Sequence, residues 1–88
     1  MISTAVPSRA EVRFYKLARE HIVELIFIIE GYDGMGVVRT LNKEEGIIEI
    51  LLSPDYETEL DRLIEDLSRD FPIREISKPE KYKSILDD

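Results

Sequence analysis

Apolar and polar side chains alternate over residues 11–17, with Val12 and Phe14 set against Arg13 and Tyr15, and this period of two predicts a strand with two different faces. Over residues 19–30 the period lengthens. Ile22, Leu25, Ile26 and Ile29 recur at helical spacing while Glu20 and Glu24 stand four apart on another face, so a helix is predicted, closed by Gly31. Val23, Phe27 and Ile28 are apolar beyond what one sheet-facing stripe requires, which predicts a second surface against this helix, either the second helix or another copy of the chain. Residues 32–35 form a turn around Asp33-Gly34, and residues 36–41 a second strand. A polar loop over residues 42–46 suits a hairpin into residues 47–52, the most apolar strand. Ser53 before Pro54 marks a helix start, and Leu60, Leu63, Ile64, Leu67 and Phe71 trace one face of a helix to about residue 70. Its other face carries Glu57, Asp61, Arg62, Glu65, Asp66 and Arg69 and is expected to be solvated, with Glu65 and Arg69 at a favourable spacing. Pro72 stops this helix, and residues 73–77 alternate as a short edge strand.

The order βαββαβ is that of the split βαβ, or ferredoxin-like, plan: an α+β fold with a four-stranded antiparallel sheet, strand order 4-1-3-2, and two helices on one face. One domain is expected over residues 11–77, between a flexible N-terminus, residues 1–10, and a charged tail, residues 78–88. In that tail Tyr82, Ile85 and Leu86 lie at helical spacing, so docking of a last turn stands beside disorder. Alternation places Val12, Phe14, Ile48, Ile50 and Leu52 toward the helices and Arg13, Tyr15, Ile47, Glu49 and Leu51 on the open face. The second strand adds either Val37, Arg39 and Leu41 or Val38 and Thr40. An open face this apolar predicts self-association across it.

Composition narrows the partners. The 88 residues include 12 Lys and Arg against 19 Asp and Glu, a net charge of −7, which opposes non-specific binding to nucleic acid or anionic lipid. There is no cysteine, so disulfides, thiol nucleophiles and thiolate metal sites are excluded together. Residues 1–10 lack a basic stretch followed by an apolar core, and the longest apolar run, residues 22–29, is too short to cross a bilayer. A cytoplasmic site is expected. Gln is absent and Asn occurs once amid abundant Ile, Leu, Glu and Arg, a bias expected of a heat-adapted source.

Candidate chemistry is sparse. The glycine-rich stretch of residues 31–36 leaves a helix and enters a strand, whereas a phosphate cradle leads into a helix, so capping and turning compete with a ligand role for Tyr32, Asp33, Gly34 and Gly36. His21 is the only histidine and reads as a surface residue, since a zinc site of the HExxH type needs a second imidazole. Glu44 and Glu45 read as solubilising loop charge, and Ser53 and Thr40 lack a base partner. Arg13, Arg39 and Arg74 fall on strands, where they either pair with Glu49 or Glu75 or hold an anion; Arg39 with Thr40, beside the glycine turn, is the leading site candidate.

The string from Glu30 through Gly31-Tyr-Asp-Gly-Met-Gly36 to Val38-Arg39-Thr40-Leu41, after a strand and an apolar helix, resembles a family of short bacterial proteins known only as a domain of unknown function. The resemblance spans residues 11–76 and implies no activity. The plan also resembles ACT regulatory domains, which would imply an amino-acid or anionic ligand, although the characteristic ACT glycine position holds Ala18 and Arg19 here. RNA-recognition domains share the plan but need aromatics on the third strand, and residues 47–52 have none. Heavy-metal-associated domains need a Cys pair, and acylphosphatases an Arg in a glycine-rich loop after the first strand; both features are missing. The expectation is a non-catalytic domain without cofactor or metal, acting as a homodimer or with an unidentified protein partner. A ligand sensor and a small enzyme remain the alternatives.

Overall fold

The structure is a computed structural model and describes residues 11–82. Four strands, β1 (Glu11–Leu17), β2 (Gly36–Asn42), β3 (Ile47–Leu52) and β4 (Ile73–Ile76), form one antiparallel sheet in the order β2-β3-β1-β4, the expected order read from the other edge. Helices α1 (Ile22–Glu30) and α2 (Glu57–Leu67) each start behind a short 3-10 turn, Arg19–His21 and Pro54–Tyr56. Ser53 does not cap α2 with its side chain. Its amide donates to the Met35 carbonyl at 2.9 Å and its carbonyl accepts from the Tyr56 amide at 3.0 Å, so its backbone ties the helix start to the chain before β2.

Leu25 and Ile29 of α1, and Leu60 and Leu67 of α2, meet Tyr15, Leu17, Ile48, Ile50 and Leu52 in one core, which places both helices on the same side of the sheet. This corrects the expected face of β1. Register pairs Arg13 with Ile50 and Tyr15 with Ile48, so Arg13, Tyr15 and Leu17 face the helices, while Val12 and Phe14 lie opposite Leu51 and Glu49 on the far face. Val37 and Arg39 also belong to the far face, paired with Leu51 and Glu49, and a bulge between Thr40 and Asn42 ends the regular ladder.

The β2–β3 turn depends on Gly46, at φ +73°, which accepts the Leu17 amide at 2.9 Å. A Cβ here would stand 1.6 Å from the Leu17 carbonyl oxygen, so only glycine lets β1 and the hairpin close on each other. In the other turn the positive φ belongs to Gly34, at +82°, whereas Gly31 ends α1 in right-handed geometry. Glu57, Asp61, Arg62, Glu65, Asp66 and Arg69 are exposed, as expected of a solvated face, although Asp61 and Glu57 also reach Arg13, and Arg69 lies 3.8 Å from Asp66 rather than pairing with Glu65. Expectations for residues 1–10 and for Ile85 and Leu86 lie outside the described residues. No helix among the described residues is long and apolar enough to cross a membrane.

Candidate functional site

The glycine turn and the sheet carry the residues singled out by the sequence, but they do not converge. The Tyr56 hydroxyl donates to the Asp33 carbonyl at 2.6 Å and the Ser53 amide to that of Met35, so turn carbonyls hold the start of α2. Tyr32, Asp33 and Gly34 are exposed. Gly36 is needed for contact: a Cβ there would lie 2.4 Å from the Leu51 carbonyl oxygen. Arg39 and Thr40 project to opposite sides of β2, as successive strand residues must. The Nε of Arg39 lies 3.2 Å from the Glu49 carboxylate on β3, the cross-strand pairing that competed with anion binding in the sequence.

The proposed open-face interface divides in the same way. Arg13 and Tyr15 lie on the helix side; Ile47, Glu49 and Leu51 lie on the far side, yet all three are buried, as is Phe14. The middle of that face, along β3 and Phe14, is therefore covered, while Lys16, Val37 and Arg74 at its margins stay exposed. Beyond β4 the chain bridges from one edge of the sheet to the β2–β3 hairpin: Asn42 Nδ2 donates to the Tyr82 hydroxyl at 2.6 Å, and Lys81 Nζ lies 3.3 Å from Glu45.

On the helix side Arg13 gathers three carboxylates, at 3.6 Å from Glu11, at 3.5 Å from Glu57 and in a short contact with Asp61. Burial by itself would lower the Arg13 pKa, but hydrogen bonds to Tyr15 and Asp61 carry it above the ordinary guanidinium range, so Arg13 stays charged. Burial pushes the Tyr15 phenol up, with Arg13 opposing. The Glu57 carboxyl is raised by its hydrogen bond and repulsion with Glu11. His21 is half-buried, its ring stacked on Phe71 with centroids 4.0 Å apart and Nδ1 3.2 Å from Glu24.

A concavity lies at the opposite end of the sheet from the glycine turn. It is a cleft of 530 Å³ where β1 ends, β4 begins and the β2–β3 hairpin turns. Lys16, Arg19 and Arg74 bring positive charge to it, Glu44 and Glu45 negative charge, and exposed Ala18 and Pro72 an apolar wall. Arg19 is held by Glu44 at 2.7 Å. Sequence reasoning missed this group because its members are scattered over residues 16–19, 44–45 and 72–74; only the pairing of β1 with β4 places Lys16 against Arg74.

Among the described residues, the large hydrophobic side chains left exposed are Val23, Phe27, Tyr32 and Val37. Val23 and Phe27, one helical turn apart on α1, keep 71% and 78% of their surfaces, and α1 lies against β2, the edge strand that carries Val37. Comparison with known proteins gives one match: a family model described as a domain of unknown function, DUF4911, covers residues 15–70. No curated protein and no solved structure matches.

Proposed function

The chain belongs to the DUF4911 family, a domain of unknown function, and on that premise we propose that it is a non-catalytic association module of ferredoxin-like plan that pairs with a second copy of itself. The observation that carries this reading is the exposed row Val23 and Phe27 on α1, beside β2, an edge strand of the sheet among the described residues. An edge strand offers unpaired backbone groups to another strand, and antiparallel pairing of β2 with its own copy is self-complementary about a two-fold axis. The α1 helices of the two copies then lie along the same seam, where Val23 and Phe27 would leave water. This surface replaces the far face of the sheet as the contact, since Ile47, Glu49 and Leu51 are already buried.

The non-catalytic part of the reading is supported by the pairing of Arg13, Arg19, Arg39 and Lys81 with carboxylates, which spends their charge on structure. An ACT-like ligand site at Gly34, Gly36 and Arg39 draws less support, because Arg39 is engaged with Glu49. A cytoplasmic, heat-adapted bacterial setting with neither nucleic acid nor membrane as partner accords with the composition. The test is the mass in solution, by size-exclusion chromatography with light scattering, over about a hundredfold range of concentration. A dimer that Phe27→Asp converts to monomer supports the reading. A monomer throughout overturns self-pairing and shifts the weight to a different protein partner as an accessory subunit.

A further inference from the structure

Lys16 on β1 and Arg74 on β4 are register partners on the far face of the sheet, so two cations stand side by side across neighbouring strands. Like charges placed directly opposite oppose pairing of the strands that carry them, and this chain has an excess of acidic residues with which to avoid the arrangement. No carboxylate among the described residues forms an ion pair with either. Both line the 530 Å³ cleft, a volume within the range of small-molecule sites. The two acidic residues of the cleft are paired with other cations, Glu44 with Arg19 and Glu45 with Lys81. What remains is a pair of uncompensated cations beside a wall of exposed Ala18 and Pro72.

From this juxtaposition we infer that the cleft binds a small molecule that joins a phosphate group to a compact apolar body, with Lys16 and Arg74 holding the phosphate. A guanidinium fork and an ammonium point charge on adjacent strands suit a dianion, which removes the repulsion that the free protein carries. The apolar wall receives the rest of the ligand. This site lies at the other end of the sheet from the glycine turn and does not depend on the α1 and β2 surface, so it stands or falls separately from self-pairing.

The test titrates the full chain with phenyl phosphate, using phenol and sodium chloride at matched ionic strength as controls, and follows amide signals by NMR together with thermal unfolding. Saturable shifts confined to residues 16–19 and 72–74, with a raised melting temperature, are expected for phenyl phosphate and not for phenol or chloride. Lys16→Gln and Arg74→Gln should each weaken binding by about tenfold, the loss expected for one charge-assisted hydrogen bond. Both variants remove a like-charge contact and should fold at least as well as the parent. The inference is overturned by the absence of saturable shifts at these residues, by equal shifts with phenol, or by unchanged binding in the Lys16→Gln/Arg74→Gln double variant.

Discussion

The carboxylate of Glu49 has no exposed side-chain surface and lies 3.2 Å from Nε of Arg39, its register partner on the edge strand. A buried charge is tolerated when its counter-ion is fixed by the fold, and removing one member takes that counter-ion from the other, at a cost of about 3–5 kcal/mol for a fully buried pair. The Arg39 side chain keeps 36% of its surface, so water screens part of that cost. Arg39→Met is expected to lower stability by about 2 kcal/mol. Adding Glu49→Leu should restore most of the loss, because an apolar pair carries no desolvation cost. Urea unfolding of the single and double variants measures the coupling, and additive losses would show that the two charges do not interact.

Tyr15 links stability to alkaline pH. Its phenol is pushed above the ordinary value of about 10 by burial, so the folded chain holds the proton more tightly than the unfolded chain. The contribution is fully present below about pH 10 and is lost as pH rises from there through the folded value. Chemical unfolding between pH 8 and 11 should show this decline, and Tyr15→Phe should flatten it. The same variant removes the hydrogen bond to Arg13, so its stability at neutral pH is expected to fall by about 1 kcal/mol.

Two glycines with similar backbone angles should respond differently to alanine. Gly34, at φ +82°, has open space where a Cβ would stand, so Gly34→Ala meets only backbone strain of about 1–2 kcal/mol. Gly46, at φ +73°, would drive its Cβ into the Leu17 carbonyl oxygen, and main chain cannot rotate aside as a side chain does. Gly46→Ala is expected to cost more than about 3 kcal/mol or to leave the chain unfolded, because the β1 to hairpin contact must open. Thermal unfolding of the two variants side by side checks the difference.

Much of the architecture is legible because period and punctuation act locally. The bounds of β1 and β3 and the turn at Asp33-Gly34 match the sequence reading, since alternation, Gly and Pro impose them within a few residues. The side of the sheet that β1 presents to the helices is not legible in this way. Val12 with Phe14 and Tyr15 with Leu17 are equally apolar sets, and a period of two reveals two faces without saying which is inward. Arg13 can face inward only because Asp61 and Glu57 on α2, more than forty residues later, receive its charge. The burial of Phe14 and Leu51 and the meeting of Lys16 with Arg74 likewise arise from segments distant in the chain, which no local pattern announces.

Leu25 and Phe27 separate the two demands that one short helix meets. Leu25 is fully buried in the core, and Phe27, two residues on, faces outward with 78% of its surface exposed. Leu25→Ala removes buried methyl groups and opens a cavity, so a loss of about 2–5 kcal/mol is expected in dilute solution. Phe27→Ala removes a side chain that the single chain does not bury, and its unfolding midpoint at low concentration should move by no more than about 0.5 kcal/mol. At high concentration the order of effects on association is reversed. Phe27→Ala should weaken the dimer by an amount set by the apolar surface it would have buried, while Leu25→Ala in its folded fraction should pair as the parent does. Sedimentation equilibrium beside urea unfolding gives both quantities. Equal dimerisation of the parent and Phe27→Ala would remove α1 from the contact and leave the β2 edge to account for any pairing.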